Sequence, residues 1–189
     1  MHYPINLNLK NKTVLVIGGG KVAFRKIKQL IPSKAKIICI AKTLGPSIKK
    51  LQKIKTIKKA ITLTDITKYN PLVIINASGD PKVDKQILNK IKTKNILYNS
   101  VDKPESCNFF VPAIVKKKNL IISISTQGHA PIMASYIKDK ISKSIKKEWI
   151  GLIEKISKLR KKLKNSGLSS IEKKKIYRKI INNQKIRKD

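Results

Sequence analysis

Short runs of β-branched and other apolar residues alternate with longer amphipathic stretches through the first part of this chain. Thr13-Val14-Leu15-Val16-Ile17 is the first clear run, and it stops abruptly at Gly18-Gly19-Gly20. Beyond the glycines, Val22, Ala23, Ile27, Leu30 and Ile31 recur among Lys21, Arg25, Lys26 and Lys28. That spacing predicts a helix with one apolar face, ending near Pro32-Ser33. Ala35–Ala41, Pro71–Ala77 and Asn95–Val101 read as three further buried strands, and Val83, Ile87, Leu88 and Ile91 share one helix face. Ile5–Leu9 alternates as a short strand would. Ser47–Lys59 predicts helix, Ala60–Leu63 a short strand, and Asp65–Tyr69 a turn or short helix. Strands alternating with helices build an α/β domain around a mostly parallel sheet.

After Phe109-Phe110-Val111-Pro112 the pattern changes. Leu120–Ser125 predicts one more strand, which leads into the loop Thr126-Gln127-Gly128-His129-Ala130-Pro131. Pro131 suits the first turn of a helix, and Met133, Ile137, Ile141 and Ile145 give that helix its stripe. Trp149, Leu152, Ile153, Ile156, Leu159 and Leu163 mark the next, with Gly167 as its stop. Ser169 and Glu172 suit a capping box for a last helix carrying Ile176, Ile180 and Ile181. These stripes read as core, and the basic tail from Lys185 as a frayed end.

Gly18, Gly20 and Ala23 fit the G-x-G-x-x-A fingerprint of dinucleotide-binding folds, in the strand-turn-helix context that gives it weight. A glycine at Gly18 permits the turn. Gly20 lets backbone approach a pyrophosphate, which then sits on the free N–H groups of the helix start. A glycine turn with only a structural role is the competing reading. In a parallel sheet, ligands lie beyond the carboxyl ends of the strands. Gly18–Val22, Ala41–Thr43, Ala77–Asp80 and Asn99–Asp102 therefore converge. The second strand ends in Ala41-Lys42-Thr43, with no acid to hold a ribose, so NAD and NADP are not distinguished there. Asp102 is a candidate base by position, against an ordinary turn aspartate before Lys103-Pro104. His129 and Thr126 are candidates in a polar loop, against a solvated histidine and a helix-entry residue.

Composition changes the picture mainly through charge. The 189 residues carry 44 Lys+Arg against 10 Asp+Glu, a formal net charge of +34. Nucleic-acid binding is one reading. Only Arg25, Arg160, Arg178 and Arg187 are arginines, though, and the lysines spread along the whole chain. Lysine-rich drift fits that better than bidentate phosphate grip, and an anionic small substrate fits as well. No secretory leader is legible in Met1-His2-Tyr3-Pro4, and the uncharged run Asn119–Ile137 is too polar for a membrane span. Cys39 and Cys107 form no C-x-x-C pair and read as reduced thiols of a cytoplasmic protein. No metal-ligand spacing is visible.

Several stretches together carry a resemblance. They are Tyr3-Pro4-Ile5-Asn6-Leu7; Val16–Ala23 with Arg25-Lys26; Asn76-Ala77-Ser78-Gly79-Asp80-Pro81; Asn99-Ser100-Val101-Asp102 with Pro104 and Cys107-Asn108-Phe109; Val111–Val115; and Ile124-Ser125-Thr126 with Gly128 and Ala130-Pro131. From about Tyr3 to about Ile145 the chain resembles the precorrin-2 dehydrogenase / sirohydrochlorin ferrochelatase family, the N-terminal module of siroheme synthases.

The resemblance implies NAD-dependent oxidation of precorrin-2 to sirohydrochlorin, with Fe²⁺ insertion as a second step in many members. It implies a Rossmann domain over 1–112, a dimerisation segment over 113–147 and a helical domain over 148–189, assembled as a homodimer. The essential aspartate falls at Asp102. Cofactor contacts fall at Gly18, Gly19, Gly20, Lys21, Val22, Lys42, Thr43, Ala77 and Ser78. Tetrapyrrole contacts fall at Asn99, Thr126, Gly128 and His129. A polycarboxylate substrate suits a lysine-rich pocket and a helix start at Ala130–Pro131. Relatives often read T-D-D-P where this chain has Ser78-Gly79-Asp80-Pro81, so one acid beside the cofactor is lost. The fused methyltransferase of some relatives is not in this sequence. A nucleotide-sensing module without catalysis and a nucleic-acid-binding protein stay open as alternatives.

Overall fold

β1 (Thr13–Ile17) lies at the centre of a five-stranded parallel sheet in the computed structural model, which describes residues 2–183. β2 (Lys36–Ala41) and β4 (Val73–Asn76) flank it, and β3 (Lys55–Lys58) and β5 (Leu97–Ser100) form the edges, in the order β3-β2-β1-β4-β5. The chain thus leaves β1 to one side, then crosses to the other, and β1 and β4 bound the switch point where such sheets hold ligands. The alternation within β1 sends Val14 and Val16 to one face and Leu15 and Ile17 to the other, all essentially inaccessible. α1 (Lys21–Leu30) and the short α2 (Pro46–Lys49) cover the first face through Ala23, Ile27 and Ile48. α3 (Leu63–Tyr69) and α4 (Pro81–Ile91) cover the second through Ile66, Ile87 and Ile91. This sheet and its helices form one compact unit, which ends at Val111.

A second unit begins at Pro112. β6 (Ala113–Lys117) and β7 (Leu120–Ile124) make an antiparallel hairpin, closed at Lys118, which takes a left-handed φ of 49°. α5 (Pro131–Ser144), α6 (Lys147–Lys162) and α7 (Ser170–Asn183) follow. The capping box at α7 is present: Ser169 N–H and hydroxyl donate to Glu172 Oε2, and Glu172 N–H donates to Ser169 Oγ. The tail expected to fray lies outside the described residues.

The stripes of α5, α6 and α7, read as core, are not buried: Met133, Trp149 and Ile181 are exposed and the other stripe residues only half-buried. Four elements also differ from the sequence reading. Ile5–Leu9 forms no strand, because no neighbouring backbone pairs with it; Leu9 is buried while Ile5 and Leu7 stay exposed. The strand expected at Ala60–Leu63 is instead Lys55–Lys58, in a stretch read as helix. As an edge strand it half-buries only Ile57 between exposed lysines, so its period is faint. β6 was not foreseen, since its two outward lysines hide the alternation. α6 stops at Lys162 and finishes in a tight turn over Leu163–Asn165, short of Gly167.

Asp65 is the buried acid that starts α3. Its carboxylate accepts from Lys59 Nζ at 2.7 Å and from Thr62 N–H at 2.9 Å and Thr62 Oγ1 at 2.7 Å. Burial opposes its ionisation, but the Lys59 and Thr62 hydrogen bonds outweigh that and hold the carboxyl below its usual range. Asp65→Asn should cost about 1 kcal/mol at neutral pH. A folded-state pKa below the unfolded value of about 3.9 means this stabilisation is complete above that value. It is lost as pH falls through the folded value. Urea denaturation of both proteins should therefore show a gap at pH 7 that narrows at pH 3; a gap that does not change with pH would refute this role.

Candidate active site

The three consecutive glycines do three different things. Gly18 has φ of 114°, and a Cβ there would lie 2.3 Å from the Ala77 carbonyl oxygen. A Cβ on Gly19 would lie 1.8 Å from the Thr43 carbonyl oxygen, and Gly45 N–H donates to the Gly19 carbonyl at 2.9 Å. The loops after β1, β2 and β4 therefore press directly on one another, with no space for a side chain. Gly20 is exposed, has an extended φ of −88°, and a Cβ there would meet nothing within 4 Å. It caps α1 with no side-chain hydrogen bond, and no acid lies in the first turn. The free N–H groups of a ten-residue helix thus face open space, which is what a dinucleotide pyrophosphate requires. Lys21, Lys42 and Thr43 are exposed at the same end of the sheet, and Val22 is half-buried.

The ends of β4 and β5 are bound together next to this turn. Ala77 N–H donates to Ile17 O at 2.8 Å and Val101 N–H to Asn76 O at 3.0 Å. Beneath them lies a buried polar cluster. Asp84, from α4, accepts from Asn76 Nδ2 at 2.7 Å, from Ser100 Oγ at 3.2 Å and from the Tyr98 hydroxyl. Asn76 Oδ1 in turn accepts from Ser78 N–H at 3.1 Å. Burial, and the Asp84 carboxylate that it donates to, push the Tyr98 phenol above its usual range. The cluster thus fixes Ser78 and the start of the loop Ser78–Asp80 from below. Asp80 closes that loop as the N-cap of α4, accepting from Lys82 N–H at 2.9 Å.

Asp102 lies in the turn after β5. It is exposed and makes no hydrogen bond or ion pair with the described residues. Its Oδ2 is 3.9 Å from where a Cβ of Gly79 would stand. Gly79 has φ of 70°, so the residue that breaks the T-D-D-P pattern also suits a left-handed turn facing Asp102. The first unit therefore brings together Gly18, Gly19, Thr43, Ala77, Gly79 and Asp102 through consecutive contacts.

Asn99 is committed inward: it is 7% exposed, and its Nδ2 donates to Phe109 O at 3.1 Å and approaches Cys107 Sγ at 3.5 Å. Cys107 accepts from Ser100 N–H at 3.1 Å, and burial pushes its thiol up. Asn108 pairs with the open edge of β5 like a strand residue. Tyr98 N–H donates to its Oδ1 at 2.6 Å and its Nδ2 donates to Ile96 O at 2.9 Å. The Cys107-Asn108-Phe109 motif is thus a latch on the sheet edge.

In the second unit, Thr126, Gly128 and His129 share one loop ahead of α5. Thr126 Oγ1 accepts from Ala130 N–H at 3.1 Å, and Thr126 O accepts from His129 N–H at 3.0 Å. Gln127 and Gly128 take left-handed φ values of 53° and 87°. The Asp84 cluster and the Asn108 latch escaped sequence reading. A signal for the first existed, since Asp84 falls in helical register with Ile87 and Ile91 on the buried face. Among the described residues no three His, Cys, Asp or Glu side chains gather around a possible metal position, and no helix is long and apolar enough to cross a membrane.

Residues 5–113 match a protein family described as "Putative NAD(P)-binding". The siroheme synthase of Ruthia magnifica subsp. Calyptogena magnifica is 34% identical over 176 residues, 91% of this chain and 37% of that protein. The siroheme synthase of Buchnera aphidicola subsp. Acyrthosiphon pisum is 35% identical over 185 residues, 95% of this chain and 38% of that protein. This chain thus spans less than two fifths of the length of these curated relatives. Among solved structures, the precorrin-2 dehydrogenase SirC superposes with a TM-score of 0.81 at 26% identity, covering 97% of this chain and 91% of its own.

The glycine geometry separates folding from cofactor binding. Gly19→Ala should cost about 1–3 kcal/mol of stability, because the loop after β2 must move. Gly20→Asp should leave the thermal midpoint nearly unchanged and weaken NAD⁺ binding by at least about tenfold, through charge repulsion of the pyrophosphate. Calorimetric titration and thermal melts of both variants check this; wild-type NAD⁺ affinity in Gly20→Asp would refute the assignment of the turn.

Proposed function

The chain belongs to the NAD(P)-binding family represented by the siroheme synthase dehydrogenase modules, and from that premise we propose that it oxidises precorrin-2 to sirohydrochlorin with NAD⁺. The observation that carries the reading is the unpaired Asp102 carboxylate facing Gly79, beside a turn built for a dinucleotide. NAD⁺, when bound, supplies the hydride acceptor. Gly18 and Gly19 hold the three loops together, and Gly20 with Lys21 and Val22 offers the helix start to the pyrophosphate. Lys42 and Thr43 lie where the ribose would sit, and Ala77 and Ser78 line the crevice. Asp102 takes the proton that dehydrogenation releases. Its lack of a partner leaves its oxygens free for that task.

The same carboxylate serves a second step, insertion of Fe²⁺ as substrate. There it accepts the two pyrrole N–H protons one after the other, passing each to solvent from its exposed position, while the macrocycle nitrogens supply the metal's ligands. Thr126, Gly128 and His129 contact the tetrapyrrole through their loop, and Asn99 acts through the Phe109 segment that it holds. The division into a cofactor domain over 1–112, a dimerisation segment over 113–147 and a helical domain over 148–189 belongs to this reading. Exposed Ile114, Ile121, Ile132, Met133 and Tyr136 support a homodimer formed through the middle segment. The free thiols Cys39 and Cys107 suit a cytoplasmic setting.

Anaerobic incubation with precorrin-2 and NAD⁺, followed by absorbance, tests the activity. Asp102→Ala should slow single-turnover oxidation by about 10²–10⁴-fold, abolish Fe²⁺ insertion, and leave NAD⁺ affinity unchanged. His129→Ala should have the milder effect. Wild-type turnover in Asp102→Ala alongside a dead His129→Ala would reverse the assignment. Light scattering at tens of micromolar should give a dimer mass, and a monomer there would refute the assembly.

A further inference from the structure

A groove of about 570 Å³ runs between α4 and the turn that follows Asp102. Lys82, Lys85, Asn89 and Lys92 line one wall, at the spacing that puts residues on one helix face. Lys103 and Ser106 line the other, and Leu88 supplies an apolar patch between the charges. None of the four lysine side chains makes a hydrogen bond or ion pair within the described residues. The acid that lines the groove, Asp84, is turned away from them, with both oxygens accepting from Asn76, Tyr98 and Ser100. Uncompensated cations on two facing walls raise the local positive potential, which a bound anion relieves.

The position matters as much as the charge. Lys103 follows Asp102 directly, and Pro81 stands two residues beyond Gly79, the residue that Asp102 faces. One end of the groove therefore lies next to the Asp102–Gly79 pair along the chain, though neither of these two residues lines it. From Lys82 to Lys92 it follows α4 for about 15 Å, at the rise of an α-helix. The glycine turn and the start of α1 contribute nothing to its lining.

We propose that this groove is a carboxylate-binding subsite that receives the acidic arms of the tetrapyrrole while the macrocycle lies at Asp102. It deepens the reading of Asp102 as the reacting base, and rests on it. The ammonium groups of Lys82, Lys85, Lys92 and Lys103 pair with carboxylates, and Leu88 packs against the hydrocarbon stems of the arms. Lysines suit arms of different reach, since each is a flexible point charge and not a fixed fork.

The test uses the full chain with Lys85→Gln/Lys92→Gln, neither of which adjoins Asp102 in the sequence. The KM for precorrin-2 should rise about tenfold, with kcat and the KM for NAD⁺ unchanged and a shallower dependence of the precorrin-2 KM on salt. Lys85→Glu/Lys92→Glu should raise it further. Lys10→Gln/Lys12→Gln removes equal charge from the segment before β1, outside the groove lining, and should leave KM at the wild-type value. Uroporphyrin, a polycarboxylate probe that needs no turnover, should bind the groove variants about tenfold more weakly by fluorescence quenching.

An unchanged KM and unchanged uroporphyrin affinity in the groove variants would overturn the subsite. So would an equal effect in the Lys10/Lys12 control, which would mark a general field, or an effect on NAD⁺ alone. If the wild-type chain does not oxidise precorrin-2, the functional reading fails. Uroporphyrin binding then judges the groove by itself: weaker binding in the groove variants supports it, and equal binding overturns it.

Discussion

The crevice of this protein depends on two positions where no side chain fits. At Gly18 and Gly19 the backbone lies against the carbonyls of Ala77 and Thr43, so the loops after three different strands are in direct contact. Any Cβ would push them apart. Because β1 is central, that displacement would travel to both neighbours, β2 and β4. Gly20 differs in kind. Its missing side chain faces open space and leaves the helix start accessible. A single run of glycines thus combines two positions packed against backbone with one that faces open space.

Much of this was legible in the sequence because it is local. A buried parallel strand is a near-continuous apolar run, and β1, β2 and β4 read that way, while β5 was marked by Ile96, Leu97, Tyr98 and Val101 around Asn99 and Ser100. The glycine fingerprint and the α7 capping box each lie within a few residues. What escaped was set by distant partners. β3 is a strand because the edge of β2 is available, although its own residues are mostly lysine and threonine. Ile5–Leu9 has the alternation of a strand and no ladder to join. The position of Asp102 opposite Gly79 follows from the topology of β4 and β5, which brings two turns together across more than twenty residues of sequence.

Polar residues inside the first unit were the least legible. Asn76, Asp84, Tyr98 and Ser100 come from two strands and a helix, and only folding brings them together. Together they satisfy one buried carboxylate, which would otherwise be costly to hold there. The side chains of Asn99 and Asn108 similarly act on backbone ten or so residues away. The Cys107-Asn108-Phe109 stretch thus closes a sheet edge.

The scarcity of acids makes the remaining ones informative. The first unit contains Asp65, Asp80, Asp84, Asp102 and Glu105. Asp65 starts α3, Asp80 caps α4, and Asp84 ties α4 to the sheet. Each is explained by hydrogen bonds that folding requires. Asp102 and Glu105 have no such bonds. Glu105 lies in the short turn of Pro104–Ser106, beyond Lys103, where a carboxylate is an ordinary solvated residue. Asp102 instead faces Gly79, on the loop that the Asp84 cluster holds against the dinucleotide turn. Asp102 pairs with none of the described cationic side chains. In the proposed reading its free oxygens serve a substrate from outside the chain, whose carboxylates the open lysines of the groove match in charge.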